Sequence, residues 1–325
     1  MANEDIAATV DWHAKIDPQQ AEALRRNAEI VESVGGPGET ISEIRTNANA
    51  VRAIWNEGGP EMAVQRDVMA PGPFRDVPMR LYKPVDTTGL PVFVYLHGGG
   101  FKLGNELSND RQMRELAQVW GGAVISSDYV HVPEQTFPDP VIEVVAVIEW
   151  LAENGGDLGI DSNAIVVGGA SAGASVAFGT AYELRSRWPD LVKGVVSIYG
   201  VLDDNLDSDS MRELGGGDFF LQEANVAQIY DDYIGDADRN DPRAFAAKGD
   251  PTGLPPAFIV AAELDPIRDD SLLLTEKMVA TGHPHRLKVY PGVMHTFFVH
   301  SNVIDQGKLC IGDIAGFLSN TVGGS

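Results

Sequence analysis

The sequence holds a single cysteine, Cys310, among 325 residues. One thiol excludes an intramolecular disulfide and any cysteine-rich zinc site. Its place in a C-terminal helical pattern marks it as a buried, inert side chain. Positive charge is also scarce. Lys and Arg number 24 against 47 Asp and Glu, a formal net charge of −23. A surface of that sign repels nucleic-acid phosphates and anionic membranes. No uncharged apolar stretch is long enough to span a bilayer. The opening segment, "MANEDIAATVDWHAKID", lacks the basic start and apolar block of a secretory signal. The expectation is a cytoplasmic protein with no membrane span and no nucleic-acid partner.

The chain is 44% hydrophobic, enough apolar material for one large core. Residues 18–34 and 41–55 carry apolar groups at helical spacing, and "GGPG" and "EGGP" stop them. Two alternating segments, "AVQRDVMA" and "VPMRLYKP", flank the turn-rich "PGPFRD" and predict an antiparallel pair. Beyond them, short apolar runs alternate with helical patterns. The runs are "PVFVYL", "GAVISSDYV", "AIVVGG", "GVVSIYG", "PAFIVAAEL" and "RLKVYPG"; the helical patterns cover 108–120, 138–153, 173–187, 269–281 and 305–319. Apolar strands alternating with amphipathic helices predict an α/β fold, its mostly parallel sheet covered on both faces. Residues 1–58 and 202–250 fall outside the alternation.

Ligands of open parallel sheets bind beyond the carboxyl ends of the strands, so the residues after each apolar run carry the most information. The stretch "VVGGASAGAS", 166–175, fits two templates. Gly168, Gly173 and Ser175 have the spacing of a phosphate-binding loop, but Ala174 stands where its lysine belongs. Gly169, Ser171 and Gly173 match G-x-S-x-G without a mismatch, between a strand and a helix, as a nucleophile elbow requires. Ser171 is the candidate nucleophile, and Ser175, one turn on, is read as packing. "PVFVYL" ends in "HGGGF", 97–101; the amides of Gly99 and Gly100, with that of Ala172, are candidates for an oxyanion hole. His97 then serves to hold the loop. "PAFIVAAEL" ends in "DPIRDD", making Asp265 the candidate orienting acid, while Asp269 and Asp270 read as helix N-terminal charges. "RLKVY" leads into "PGVMHTFF", making His295 the candidate base; His283 and His285 lie at the wrong edge of the sheet. Serine, acid and histidine in that chain order, each after its own strand, form the α/β-hydrolase arrangement.

Together, "HGGGF", "DYVHVPEQTFPDPVIE", "GGASAGAS", "LPPAFIVAAELDPIRDD" and "YPGVMHTFF" resemble the hormone-sensitive-lipase-like esterases of the α/β-hydrolase fold, over roughly residues 64–320. The resemblance implies Ser171 as nucleophile, His295 as general base and Asp265 as orienting acid. It implies a helical cap, formed by residues 1–58 and contributed to by 202–250, over a catalytic domain of 59–325. Trp12, Trp55, Phe219 and Phe220 are candidates to line the substrate pocket, with packing inside the cap as the alternative for each. Two positions depart from the family pattern: Ala170 stands where an aspartate commonly precedes the nucleophile, and Val130-His131 replaces the usual Arg-Leu. The expected activity is serine carboxylesterase hydrolysis of short- to medium-chain esters of small molecules through an acyl-enzyme, with no cofactor and no metal. The same triad also serves amide, carbamate or lactone hydrolysis, and a non-catalytic receptor on this fold is a further alternative. Similar enzymes are often dimers, which makes a homodimer the assembly the resemblance allows.

Overall fold

The computed structural model describes residues 10–323. The first nine residues of the expected cap segment lie outside the described residues. Two helices come first, α1 (Pro18–Ser33) and α2 (Ile41–Trp55). Asp17 accepts from the Gln19 amide to start α1, and Thr40 with Glu43 forms a capping box that starts α2. The antiparallel pair is β1 (Val64–Pro71) and β2 (Asp76–Lys83). There follow β3 (Leu90–Leu96), α3 (Asp110–Trp120), β4 (Ala123–Ser127), α4 (Asp139–Leu158), β5 (Ile160–Ala170), α5 (Ala172–Arg187) and β6 (Val192–Ile198). The 202–250 segment carries two short helices, α6 (Asp209–Leu214) and α7 (Glu223–Ile234). The chain closes with β7 (Ala257–Leu264), α8 (Arg268–Ala280), β8 (His285–Met294) and α9 (Asp305–Val322).

The eight strands form one sheet in the order β1-β2-β4-β3-β5-β6-β7-β8. β2 pairs antiparallel with β1 and β4, and every other neighbouring pair is parallel. The fully apolar strands are explained by two buried faces. In β3, Val92, Val94 and Leu96 point into one core with residues of α4, α5 and α8, such as Val144, Val176 and Leu274. Phe93 and Tyr95, one residue out of step, point into a second core with Met113, Leu116 and Trp120 of α3 and Ile311, Ile314 and Leu318 of α9. The period of two along the strand therefore assigns successive side chains to opposite helical layers.

α4 runs five residues past the expected end of its pattern, through Asn154, Gly155 and Gly156. Gly155 is there for close approach: a Cβ would come within 2.7 Å of Ile160 and of Ser162. The helix ends instead at Gly159, whose φ of 74° supplies the left-handed cap. Cys310 is buried in α9, and burial pushes its thiol well above the usual range. Among the described residues no helix is long and apolar enough to cross a membrane.

Candidate active site

The carboxyl ends of β3, β5, β7 and β8 deliver four loops to one place. Ser171 directly follows β5, Asp265 follows β7 and His295 follows β8. His295 Nδ1 lies 2.7 Å from Asp265 Oδ2, and its Nε2 lies 2.9 Å from Ser171 Oγ. A carboxylate only accepts, so Nδ1 carries the proton and Nε2 accepts from the serine hydroxyl. Asp265 and His295 are both buried, and the second carboxylate oxygen accepts from the Ile267 amide at 3.1 Å. The sequence-derived serine, acid and histidine are thus one hydrogen-bonded chain.

Ser171 adopts φ 54° and ψ −121°, a conformation unusual for a side-chain-bearing residue. Its amide donates to Ile198 O at 2.9 Å, and its carbonyl accepts from Ala174 N at 3.0 Å. Gly169 and Gly173 are required for proximity: a Cβ on Gly173 would sit 2.2 Å from Leu96 O, and one on Gly169 2.5 Å from the Gly173 backbone. Ser175 is buried in α5 and donates to Ala244 O at 2.6 Å, away from the reacting atoms.

The loop after β3 lies against Ser171. A Cβ on Gly98 would stand 3.3 Å from Ser171 Cβ, and Gly99 and Gly100 take φ values of 139° and 60°. The Gly99 and Gly100 amides donate to no acceptor among the described residues. Ala172 opens α5, so its amide has no intrahelical partner.

Several residues that the sequence did not single out hold this loop. Tyr129 Oη donates to His97 O at 2.8 Å, and the two rings stack at 4.6 Å. Arg52 donates to Gly98 O, and Arg45 to both Lys102 O and Val132 O. Arg45 also grips Glu134 through two hydrogen bonds of 2.7 Å, which hold that carboxyl down at about 2. Phe101 stacks on Tyr233 of α7, tying the loop to the 202–250 segment. Only aromatic character and charge signalled these residues, because their partners are backbone atoms or rings remote in sequence.

His97 is buried, with Nδ1 3.0 Å from Gly98 O and Nε2 3.2 Å from Asp128 Oδ1. Asp128 also pairs with Arg75 at 3.1 Å, and Arg75 reaches Glu143 at 3.4 Å. The β1–β2 turn therefore supplies an arginine to the acids near Val130 and His131. Burial would raise the Asp128 carboxyl, but His97, His131 and Arg75 outweigh it and hold it below its ordinary value. Burial pulls His131 down to about 3. The ligand atoms of His97, Asp128 and His131 lie within 4.8 Å of one another, the one group among the described residues with the spacing of a metal site. It stands behind the glycine loop, and no atom of the Ser171–His295–Asp265 chain belongs to it.

A cavity of about 460 Å³ opens over Ser171 and His295. Its walls include Ile41 and Ile44 of α2, and Val226 and Ile229 of α7. Of the four aromatic candidates, Phe220 lines this cavity, stacked over His295 at 6.1 Å. Trp55 is buried against His300 and borders a neighbouring groove. Trp12 and Phe219 do not line the cavity. Phe219 is buried with Leu214, Leu264 and Met294, and Trp12 packs against that cluster. These two aromatics close a small core outside the pocket. Asp270 lies in the first turn of α8, as expected, but it is buried there, and its Oδ2 accepts from the amides of Leu202 and Asp203 at 3.1 Å each.

A family described as alpha/beta hydrolase fold matches residues 93–299. Among solved structures, an esterase of Pyrobaculum calidifontis is similar at 29% identity, with a TM-score of 0.86, covering 95% of this chain and 99% of that one. A thermophilic and thermostable carboxylesterase cloned from a metagenomic library is 29% identical with a TM-score of 0.84, covering 87% and 98%. A bacterial heroin esterase is 27% identical with a TM-score of 0.83, covering 95% and 98%.

Proposed function

Because this chain belongs to the hormone-sensitive-lipase-like esterases of the alpha/beta hydrolase fold, we propose that it hydrolyses carboxylic esters through an acyl-enzyme on Ser171. The observation that carries the reading is the unbroken chain from Ser171 Oγ through His295 to the buried Asp265 carboxylate. In the acylation step His295 Nε2 takes the proton of Ser171 as its oxygen attacks the ester carbonyl. Asp265 keeps the Nδ1 proton in place and stabilises the imidazolium that forms. The Gly99, Gly100 and Ala172 amides, free of other acceptors, stabilise the negative oxygen of the tetrahedral intermediate. Each such donor is typically worth about 10²–10³ in rate.

His295 then returns its proton to the leaving alcohol. A water deprotonated by the same nitrogen attacks the acyl carbon; as the bond to Ser171 Oγ breaks, His295 returns the proton to that oxygen and the carboxylic acid is released. The chemistry assigned here uses side chains and backbone amides alone. The volume and apolar walls of the cavity favour short- to medium-chain acyl groups. We read α1, α2 and the 202–250 segment as a cap, since α2 and α7 furnish much of the wall that faces the nucleophile.

Turnover of p-nitrophenyl acetate by Ser171→Ala tests the reading. The expected loss in kcat is on the order of 10⁴–10⁶ with the circular dichroism of the fold retained. Near-native turnover would overturn the assignment.

A further inference from the structure

One cation in the cavity has no part in the acyl-transfer steps above. Arg52, near the end of α2, brings its guanidinium to the cavity wall beside Gly98. Nη1 donates to Ser108 Oγ at 2.9 Å and Nη2 to Gly98 O at 3.1 Å. Both acceptors are neutral. A guanidinium has five donors, so most of its capacity is left over. The ionisable groups acting on it are the phenols of Tyr95, Tyr129 and Tyr199, with no carboxylate among them, and burial pulls its pKa below the ordinary arginine value.

Two buried side chains of the same wall each carry a donor without an acceptor among the described residues. Asn109 is buried and accepts from Tyr95 Oη at 2.9 Å through Oδ1. That bond fixes the amide and leaves Nδ2 as its unpartnered end. The buried Tyr199 Oη is unpartnered as well. Among the described residues no aspartate or glutamate lines the cavity, and the buried Ala170 contributes no charge to its wall. Lys102, at the same cavity, is already paired with Asp232. Such a wall is the reverse of a chain whose net charge is −23. Buried donors without acceptors cost free energy unless a ligand supplies the acceptor.

We propose that the cavity takes esters bearing a second, ionised carboxyl group, which pairs with Arg52. A planar carboxylate matches the two-pronged face of a guanidinium better than a spherical anion does. The spacer between the carboxylate and the ester is short. Arg52 holds the carbonyl of Gly98, and Gly98 itself abuts Ser171. Monoesters of short dicarboxylic acids have this form. The inference rests on the ester-hydrolase reading and specifies its substrate class.

The test compares two matched pairs in a pH-stat at pH 7.5. Monomethyl glutarate against methyl pentanoate places the charge on the acyl side. 3-Acetoxypropanoate against propyl acetate places it on the alcohol side. The wild-type enzyme is expected to prefer the anionic member of at least one pair, by about 10–100-fold in kcat/KM. Arg52→Met is expected to abolish that preference, and Arg52→Lys to restore part of it. Because Arg52 also holds Gly98, a loss common to both members reports the loop, and only the ratio reports charge recognition. A wild-type preference for the neutral member of both pairs overturns the proposal without need of any variant. So does an equal loss on both members in Arg52→Met. Failure of the wild-type enzyme to cleave p-nitrophenyl acetate as well would contradict ester hydrolysis itself, a separate result.

Discussion

The backbone of Ser171 carries the strain at the elbow, and the glycines around it relieve crowding. Gly169 and Gly173 lie where the loop after β3 crosses the start of α5 at less than side-chain distance. The small-residue pattern was visible in sequence; which residue is strained and which merely narrow was not. The hydrogen-bonded chain of Ser171, His295 and Asp265 was legible because each member directly follows an apolar run, where parallel sheets place their ligands. Arg45, Arg52 and Tyr129 were not, because they act on backbone carbonyls that only folding brings near. Trp12 and Phe219 took the packing alternative, because aromatic character marks a core as readily as a pocket. The role of Asp265 is testable here. Asp265→Asn removes the carboxylate that fixes the His295 proton, and kcat for p-nitrophenyl acetate should fall about 10³–10⁴-fold with little change in KM, the scale known for such triads. A loss of less than about 10-fold would mean that Asp265 does not orient the base.

Secondary elements followed the periodicity closely wherever they were long and apolar on one side. The expected pattern over 41–55 coincides with α2. The overrun of α4 through Gly155 and Gly156 was hidden, because consecutive glycines signal a stop, and the close packing that requires Gly155 is seen only in the fold. How the 202–250 segment is fastened was hidden as well. Its entry at Leu202 and Asp203 hangs on the buried carboxyl of Asp270 in α8, while Asp269 accepts from Ser210 N at 2.8 Å. Asp270→Ala leaves two buried amides without acceptors and should cost about 1–3 kcal/mol of stability in denaturant titrations.

Asp270→Asn keeps an acceptor and does not titrate. Burial holds the Asp270 carboxyl well above its ordinary 3.8, so the native state retains that proton to higher pH than the unfolded chain. Its contribution is complete below 3.8 and declines as pH rises toward the raised value. The melting temperature of Asp270→Asn should therefore gain on the wild type as pH increases from 4 to 8. A constant difference across that range would show that Asp270 titrates alike in both states.

At the scale of the whole molecule, the acidic composition and the cavity over Ser171 point in opposite directions. The surface repels anions, yet the wall over Ser171 gathers Arg52, Asn109 and Tyr199 and, among the described residues, includes no carboxylate. Composition revealed the first, and only the fold revealed the second. The fold class followed from the alternation of apolar strands and helices, whereas the pairing of the 202–250 segment with the glycine loop, through Phe101 and Tyr233, needed coordinates.

All of this turns on one oxygen atom. The most direct measurement is the intact mass of the enzyme after treatment with diethyl p-nitrophenyl phosphate, followed by peptide mapping. One diethylphosphoryl group on Ser171, with parallel loss of esterase activity and no labelling of Ser171→Ala, is the predicted result. An unmodified Ser171 in an enzyme that still cleaves esters, or a label carried by another residue, would contradict it.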